Sequence, residues 1–111
     1  MAWRNLAGVV SERAGDTPAA MSLLTLSLHE DACRNELDFY ADAERGALLE
    51  WSRNGYILLA LQALDRDEIL IVCPYERSVI QPMAAMLPYV VADLASFQLL
   101  AVSPADLTGG A

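Results

Sequence analysis

The stretch Ala47-Leu-Leu-Glu-Trp-Ser-Arg-Asn-Gly-Tyr-Ile-Leu-Leu-Ala-Leu-Gln-Ala-Leu64 decides between two folds. Asn54-Gly55 stands between two apolar segments, a strong hairpin signal because both central residues of a type I′ turn need positive φ. On that reading Glu36–Asp42 and Ala47–Ser52 are strands joined through Ala43–Gly46, and Tyr56 begins the next strand. The register about the turn sets Arg53 opposite Tyr56. Trp51 then faces Leu58 and Leu49 faces Ala60 on one side of the sheet, with Ser52–Ile57, Glu50–Leu59 and Leu48–Leu61 on the other. The competing reading makes residues 30–52 a helix, with Cys33, Leu37, Tyr40, Ala47, Leu48 and Trp51 along one face. The Asn-Gly pair favours strands.

Outward from the turn, Tyr56–Leu64 and Ile69–Cys73 are apolar on consecutive residues, and Asp65-Arg-Asp-Glu68 between them suits a second hairpin. Met21–Leu28 alternates Leu24, Leu26 and Leu28 against Ser and Thr, the pattern of a half-buried strand. Residues 2–14 read as an amphipathic helix on Trp3, Leu6, Val9, Val10 and Arg13, ended by Gly15 to Pro18. From about Gln81, Met83, Leu87, Val90, Leu94, Phe97 and Ala101 step by four and three, which predicts a second helix; Pro82 suits its start and Pro88 delays or kinks it. The expected fold is α+β: an N-terminal helix, an antiparallel β-meander of four to five strands and a C-terminal helix. The domain spans 1–102, and 103–111 form a flexible tail.

The bulk numbers narrow the function. The chain has 111 residues, 55% of them hydrophobic and 20% charged, so one domain with a real core is expected and disorder is not. Seven basic residues, all Arg, stand against fifteen acidic ones, a net charge of −8. That balance argues against nucleic acid or an anionic membrane as partner, since both need a cationic footprint. No apolar run approaches the roughly twenty residues of a membrane span. Leu6–Val10 is too short for a signal segment, and the expected location is cytoplasmic. Cys33 and Cys73 match no disulfide framework or metal spacing and read as free thiols.

Motifs for catalysis are sparse. His29, the one histidine, adjoins Glu30 and Asp31, but no nucleophile elbow accompanies it, and a metal would need further ligands. No phosphate-binding glycine loop occurs. No cofactor, no metal and no enzymatic activity are expected. Glu30, Asp31, Glu36, Asp38, Asp42, Glu44 and Glu50 crowd into twenty-one positions. A solvated face is the ordinary meaning of such a run; an array that captures a basic surface is the sharper one.

The sheet itself is the informative feature. The hairpin register puts large apolar side chains on both faces, whereas an antiparallel sheet with one wet face should alternate apolar and polar. A face left uncovered by the two helices needs another copy, a different subunit or a client segment.

With this outline, the sequence resembles the class I type III secretion chaperones, the CesT-like family and its SycN-like members. The residues that carry the likeness are the opening Met1-Ala-Trp-Arg4, the strand Leu24-Thr-Leu-Ser-Leu28, and Asp67-Glu-Ile-Leu-Ile-Val-Cys-Pro-Tyr-Glu-Arg-Ser78 leading through Pro82 and Leu87. The resemblance implies a small acidic cytoplasmic binding protein that is not an enzyme. It would hold the unfolded N-terminal segment of a secreted effector or export-control protein by strand addition and side-chain pockets. It would act as a homodimer, or as a heterodimer with a second small chaperone. The expected contact residues, taken from the apolar sheet positions, are Leu37, Phe39, Leu49, Trp51, Leu58 and Leu59, with Leu58 and Leu59 on opposite faces. A competing expectation is an acidic inhibitor, an immunity protein or phage-encoded DNA mimic, whose carboxylates block a basic site on its partner.

Overall fold

A computed structural model describes residues 20–104. The expected helix over 2–14 and most of the expected tail lie outside the described residues. Seven elements follow in order: strand β1 Met21–Leu28, helix α1 Arg34–Arg53, strands β2 Leu59–Gln62 and β3 Glu68–Cys73, helices α2 Arg77–Ala84 and α3 Pro88–Val91, and strand β4 Ala95–Val102. The expected α+β class with an antiparallel sheet holds; several elements change type.

The largest change is α1. Residues 36–42 and 47–52, read as strands, are parts of one helix of 20 residues. Its composition of Glu, Leu, Ala and Arg favours helix, and Asp and Glu are depleted from strands. The residues turned inward are Leu37, Tyr40, Glu44, Ala47, Leu48 and Trp51, the three-and-four spacing of a single helical stripe. On the outer face Asp42 pairs with Arg45 at 3.1 Å and Glu50 with Arg53 at 3.7 Å.

Of the pair Asn54-Gly55, expected to take positive φ at both residues, Asn54 has φ −90° and only Gly55 takes a positive φ, which stops a helix. Gly55 has φ 81°. Its N–H donates to the Ser52 carbonyl at 3.2 Å, and the Tyr56 N–H donates to the Trp51 carbonyl at 2.9 Å. This pair of bonds is the Schellman motif, which closes orphan carbonyls at a helix C-terminus with glycine in the left-handed region. The expected pairings of Trp51 with Leu58 and Leu49 with Ala60 are therefore not formed.

The second change lies at the C-terminal end, where the stripe from Met83 to Ala101 is divided among three elements. Pro88 opens α3 at its first turn, where its missing N–H costs nothing. Asp93, at φ 60°, then ends it, and Asp is one of the few residues that tolerates that region. Beyond it the chain alternates Phe97 and Leu99 against Ser96 and Gln98, so β4 replaces the expected last helix.

All neighbouring strands are antiparallel, in the order β2-β3-β1-β4. β1 and β2 are thus parallel with β3 between them, joined through α1; β3 and β4 are parallel with β1 between them, joined through α2 and α3. This βαββαβ arrangement is the split-βαβ, or ferredoxin-like, topology rather than a meander. Among the described strands only β2 and β3 form a hairpin, through the expected polar link Asp65–Glu68, whose last residue opens β3. The core is built from Leu24, Leu26, Ile71 and Cys73 of the central strands with Trp51, Ile80, Ala84 and Leu87 of the helical layer and its connections. Both central strands contribute alternate residues to it, and their other residues point to the opposite face.

Candidate functional site

The opposite sheet face follows from the register. Leu59 lies beside Val72, Val72 beside Leu23 and Leu23 beside Leu100, so one apolar row crosses all four strands. The next row is Leu61, Leu70, Thr25 and Gln98. Toward the far end the face turns polar, where the Ser27 hydroxyl donates to Glu68 Oε2 at 3.0 Å. Met21 and Val72 are buried and pack with Leu23, Leu58, Leu59 and Val102 in a cluster that, among the described residues, contains none from a helix. At the margins Leu61 is 39% and Leu100 60% exposed. Among the described residues the helices pack against one face only, and the other carries a continuous apolar patch with a polar end.

The expected contact residues separate. Leu37, Phe39, Leu49 and Trp51 are on α1, not on the sheet. Trp51 is buried in the core, and Leu37 is half-buried with its carbonyl accepting from the Tyr89 hydroxyl at 3.0 Å. Phe39 and Leu49 are exposed on the outer side of the helix, Phe39 in an edge contact with Tyr40 at 4.9 Å between ring centroids. Leu58 and Leu59 do reach the patch, and both pack against Met21 and Val72 rather than pointing to opposite faces. Leu23, Leu61, Leu70 and Leu100 were not expected there. The signal for Leu23 was its odd position in the alternation of β1; for Leu100 it was Pro88, which forbids one continuous helix to Ala101.

A groove of about 860 Å³ runs between α2 and β4 on the helical side of the sheet, lined by Phe97, Leu99 and Ala101 on one wall and Arg77, Ser78 and Gln81 on the other. α2 therefore leaves the outer flank of β4 open to solvent.

Ionisable groups outside the surface are few. Glu44 is buried, and burial raises its carboxyl above the ordinary value, partly offset by the hydrogen bond from the Tyr89 N–H. Burial pushes the Cys73 thiol up to about 11, whereas Cys33 is exposed. His29 Nδ1 lies 3.0 Å from the Asp93 carbonyl, and Glu30 and Asp31 are exposed beside it. Among the described residues no group of three or more His, Cys, Asp or Glu could hold a metal ion. No described helix is long and apolar enough to cross a membrane. No protein-family model matches the chain, and no curated protein matches it.

Proposed function

We propose that this protein is a non-enzymatic binding module whose apolar sheet face holds an extended apolar segment of a protein partner. The observation that carries this reading is the row Leu59–Val72–Leu23–Leu100 on the face against which no described helix packs. Val72 at the centre of the row is buried, and the exposed apolar side chains are Leu61 and Leu100 at its margins. Exposed apolar groups that adjoin such a row mark a contact site, and the ferredoxin-like topology by itself assigns no activity. The role is chaperone-like: the client is the N-terminal segment of a secreted effector or export-control protein, kept soluble in the cytoplasm. The chain's charge of −8 favours clients with basic flanks.

The acidic array is the weaker basis for function. Glu44 of that run is buried, Asp42 and Glu50 are each paired with an arginine, and Arg34 shares the helix. The test is a tagged pulldown at low and high salt, read by native mass spectrometry, with the Leu59→Ser/Leu61→Asp double variant beside the parent. A salt-resistant complex with a secreted protein's N-terminal segment, lost in the double variant, supports the reading. Capture of a nuclease, polymerase or toxin that falls away in salt and survives the substitutions overturns it in favour of an acidic inhibitor.

A further inference from the structure

Among the described strands β4 lies at an edge of the sheet, and its own sequence carries none of the devices by which edge strands avoid pairing. Natural edges are kept short, carry charges or proline, or are interrupted by bulges. β4 runs for eight residues, Ala95-Ser-Phe-Gln-Leu-Leu-Ala-Val102, with no charged residue, no proline and no glycine. Its register against β1 is unbroken from Leu28 opposite Ala95 to Met21 opposite Val102, so it contains no bulge. The other edge strand, β2, has only four residues.

The ladder shows which main-chain groups β4 offers. The His29 N–H donates to the Leu94 carbonyl at 2.9 Å, which continues the β1–β4 register and makes that opposed pair a hydrogen-bonded one. Hydrogen-bonded pairs recur at every second residue, so Ser96, Gln98, Leu100 and Val102 bond toward β1. The N–H and C=O groups of Ala95, Phe97, Leu99 and Ala101 point away from the sheet, and no described residue pairs with them.

We propose that β4 pairs antiparallel with β4 of a second copy, about a two-fold axis at Gln98. In that register Phe97 faces Leu99 of the other copy and Ala95 faces Ala101. Each of these pairs joins two outward-pointing residues, so every outward group of both strands is bonded. A registration shifted by one residue would set outward groups against inward ones; a shift by two would leave the ends unpaired. Self-complementarity of this kind is what an isologous interface requires.

Side chains agree on both faces. On the helical side, Phe97 and Leu99 line the open groove beside α2, and the corresponding residues of the second copy continue that apolar wall. On the other side, Leu100, 60% exposed, lies beside Ser96 of the second copy, and Gln98 meets Gln98, where each amide can both donate and accept. The charge of −8 on each copy opposes association, and an uncharged strand is the place where two such molecules can meet without like charges in opposition. The assembly is one eight-stranded sheet with the helices of both copies on one face; on the other face the apolar row of each copy ends at Leu100, beside Ser96 of its neighbour. The pairing does not depend on the client reading, because it is measured with no client present.

The experiment is sedimentation equilibrium of the full chain alone at several concentrations. The parent is expected to be a dimer. Gln98→Glu and Gln98→Arg each place like charges across the axis, and each is expected to weaken association by about tenfold or more. Mixing the two variants restores the dimer, because opposite charges then face one another. Ala101→Pro removes an outward N–H that β1 does not use; it is expected to yield a folded monomer by far-ultraviolet circular dichroism. Should Ala101→Pro not fold, the exchange at Gln98 decides alone. A parent that stays monomeric at about 100 μM, a dissociation constant unmoved in both Gln98 variants, or a mixture no tighter than its components overturns the proposal.

Discussion

Oε1 of Glu44 accepts a hydrogen bond from the backbone N–H of Tyr89 at 2.9 Å, tying the middle of α1 to the first turn of α3. The first N–H groups of a helix have no partner within it, and α3 fills one such vacancy with a side chain from another element. The Tyr89 hydroxyl returns a bond to the Leu37 carbonyl at 3.0 Å. One tyrosine thereby spans two turns of α1, and the short helix that precedes β4 is held in place from beneath.

Glu44→Ala should lower stability by about 1–3 kcal/mol, the usual cost of leaving a buried main-chain donor without its acceptor. The pH dependence has a definite sign. Burial raises the Glu44 carboxyl from its ordinary value of 4.5, so between that value and the folded one the native state holds more protons than the unfolded state. Stability from this group is full below the unfolded pKa and declines as pH rises through the folded pKa. Glu44→Gln, which retains an acceptor and cannot ionise, should therefore improve relative to the parent as pH increases across that window. Urea unfolding of both proteins between pH 4 and pH 8 checks it; a constant difference would contradict the assignment.

Gly46 and Gly55 should respond to alanine with opposite signs. A Cβ at either position meets nothing within 4 Å, so packing does not enter. Gly46 lies within α1, where alanine is favoured by roughly 0.5–1 kcal/mol. Gly55 sits at φ 81°, where a Cβ costs about 1–2 kcal/mol. Thermal unfolding should show a raised midpoint for Gly46→Ala and a lowered one for Gly55→Ala. A type I′ hairpin at Asn54-Gly55 would leave Gly46 in a strand connection, where no helix-propensity gain is expected.

That contrast also explains what the sequence made legible. The strands at Met21–Leu28 and Ile69–Cys73 and the hairpin link between Leu61 and Leu70 are local patterns, and they form as read. Asn54-Gly55 announced a residue with positive φ but not which motif would use it; the same requirement serves a hairpin turn and a helix C-terminus. Choosing between them needed the balance of Glu, Asp and Ala over residues 36–50, which favours helix. The stripe from Met83 to Ala101 misled for a different reason. Residues of α2, α3 and β4 all face one core, so three short elements reproduced the spacing of one long helix. The candidate site shared the fate of these assignments: Leu59 was in a strand on either reading, whereas Phe39 and Trp51 left the sheet with α1.

The two thiols should differ in reactivity. Cys33 is exposed before α1, whereas Cys73 is buried in β3 with its pKa pushed up to about 11. The thiolate is the reactive form, so native protein at pH 8 should titrate one thiol promptly with a disulfide reagent and the second only on unfolding. Equal reaction of both in the absence of denaturant would mean that β3 opens readily.

Trp51 and Phe39 test whether α1 is a support or a contact surface. Trp51 is 8% exposed and packs in the cluster of Leu24, Ile71, Ile80 and Leu87, while Phe39 is 78% exposed. Removing a buried aromatic costs about 3–5 kcal/mol, a large share of the total stability of a small domain. Trp51→Ala should therefore broaden or abolish cooperative unfolding, and any loss of partner binding in that variant would follow from the lost fold. Phe39→Ser should leave the unfolding midpoint nearly unchanged, within about 0.5 kcal/mol. Partner binding by Phe39→Ser is then the informative comparison. Retained affinity keeps the contact on the sheet face around Leu23, whereas lost affinity with an unchanged midpoint would move it to the outer side of α1.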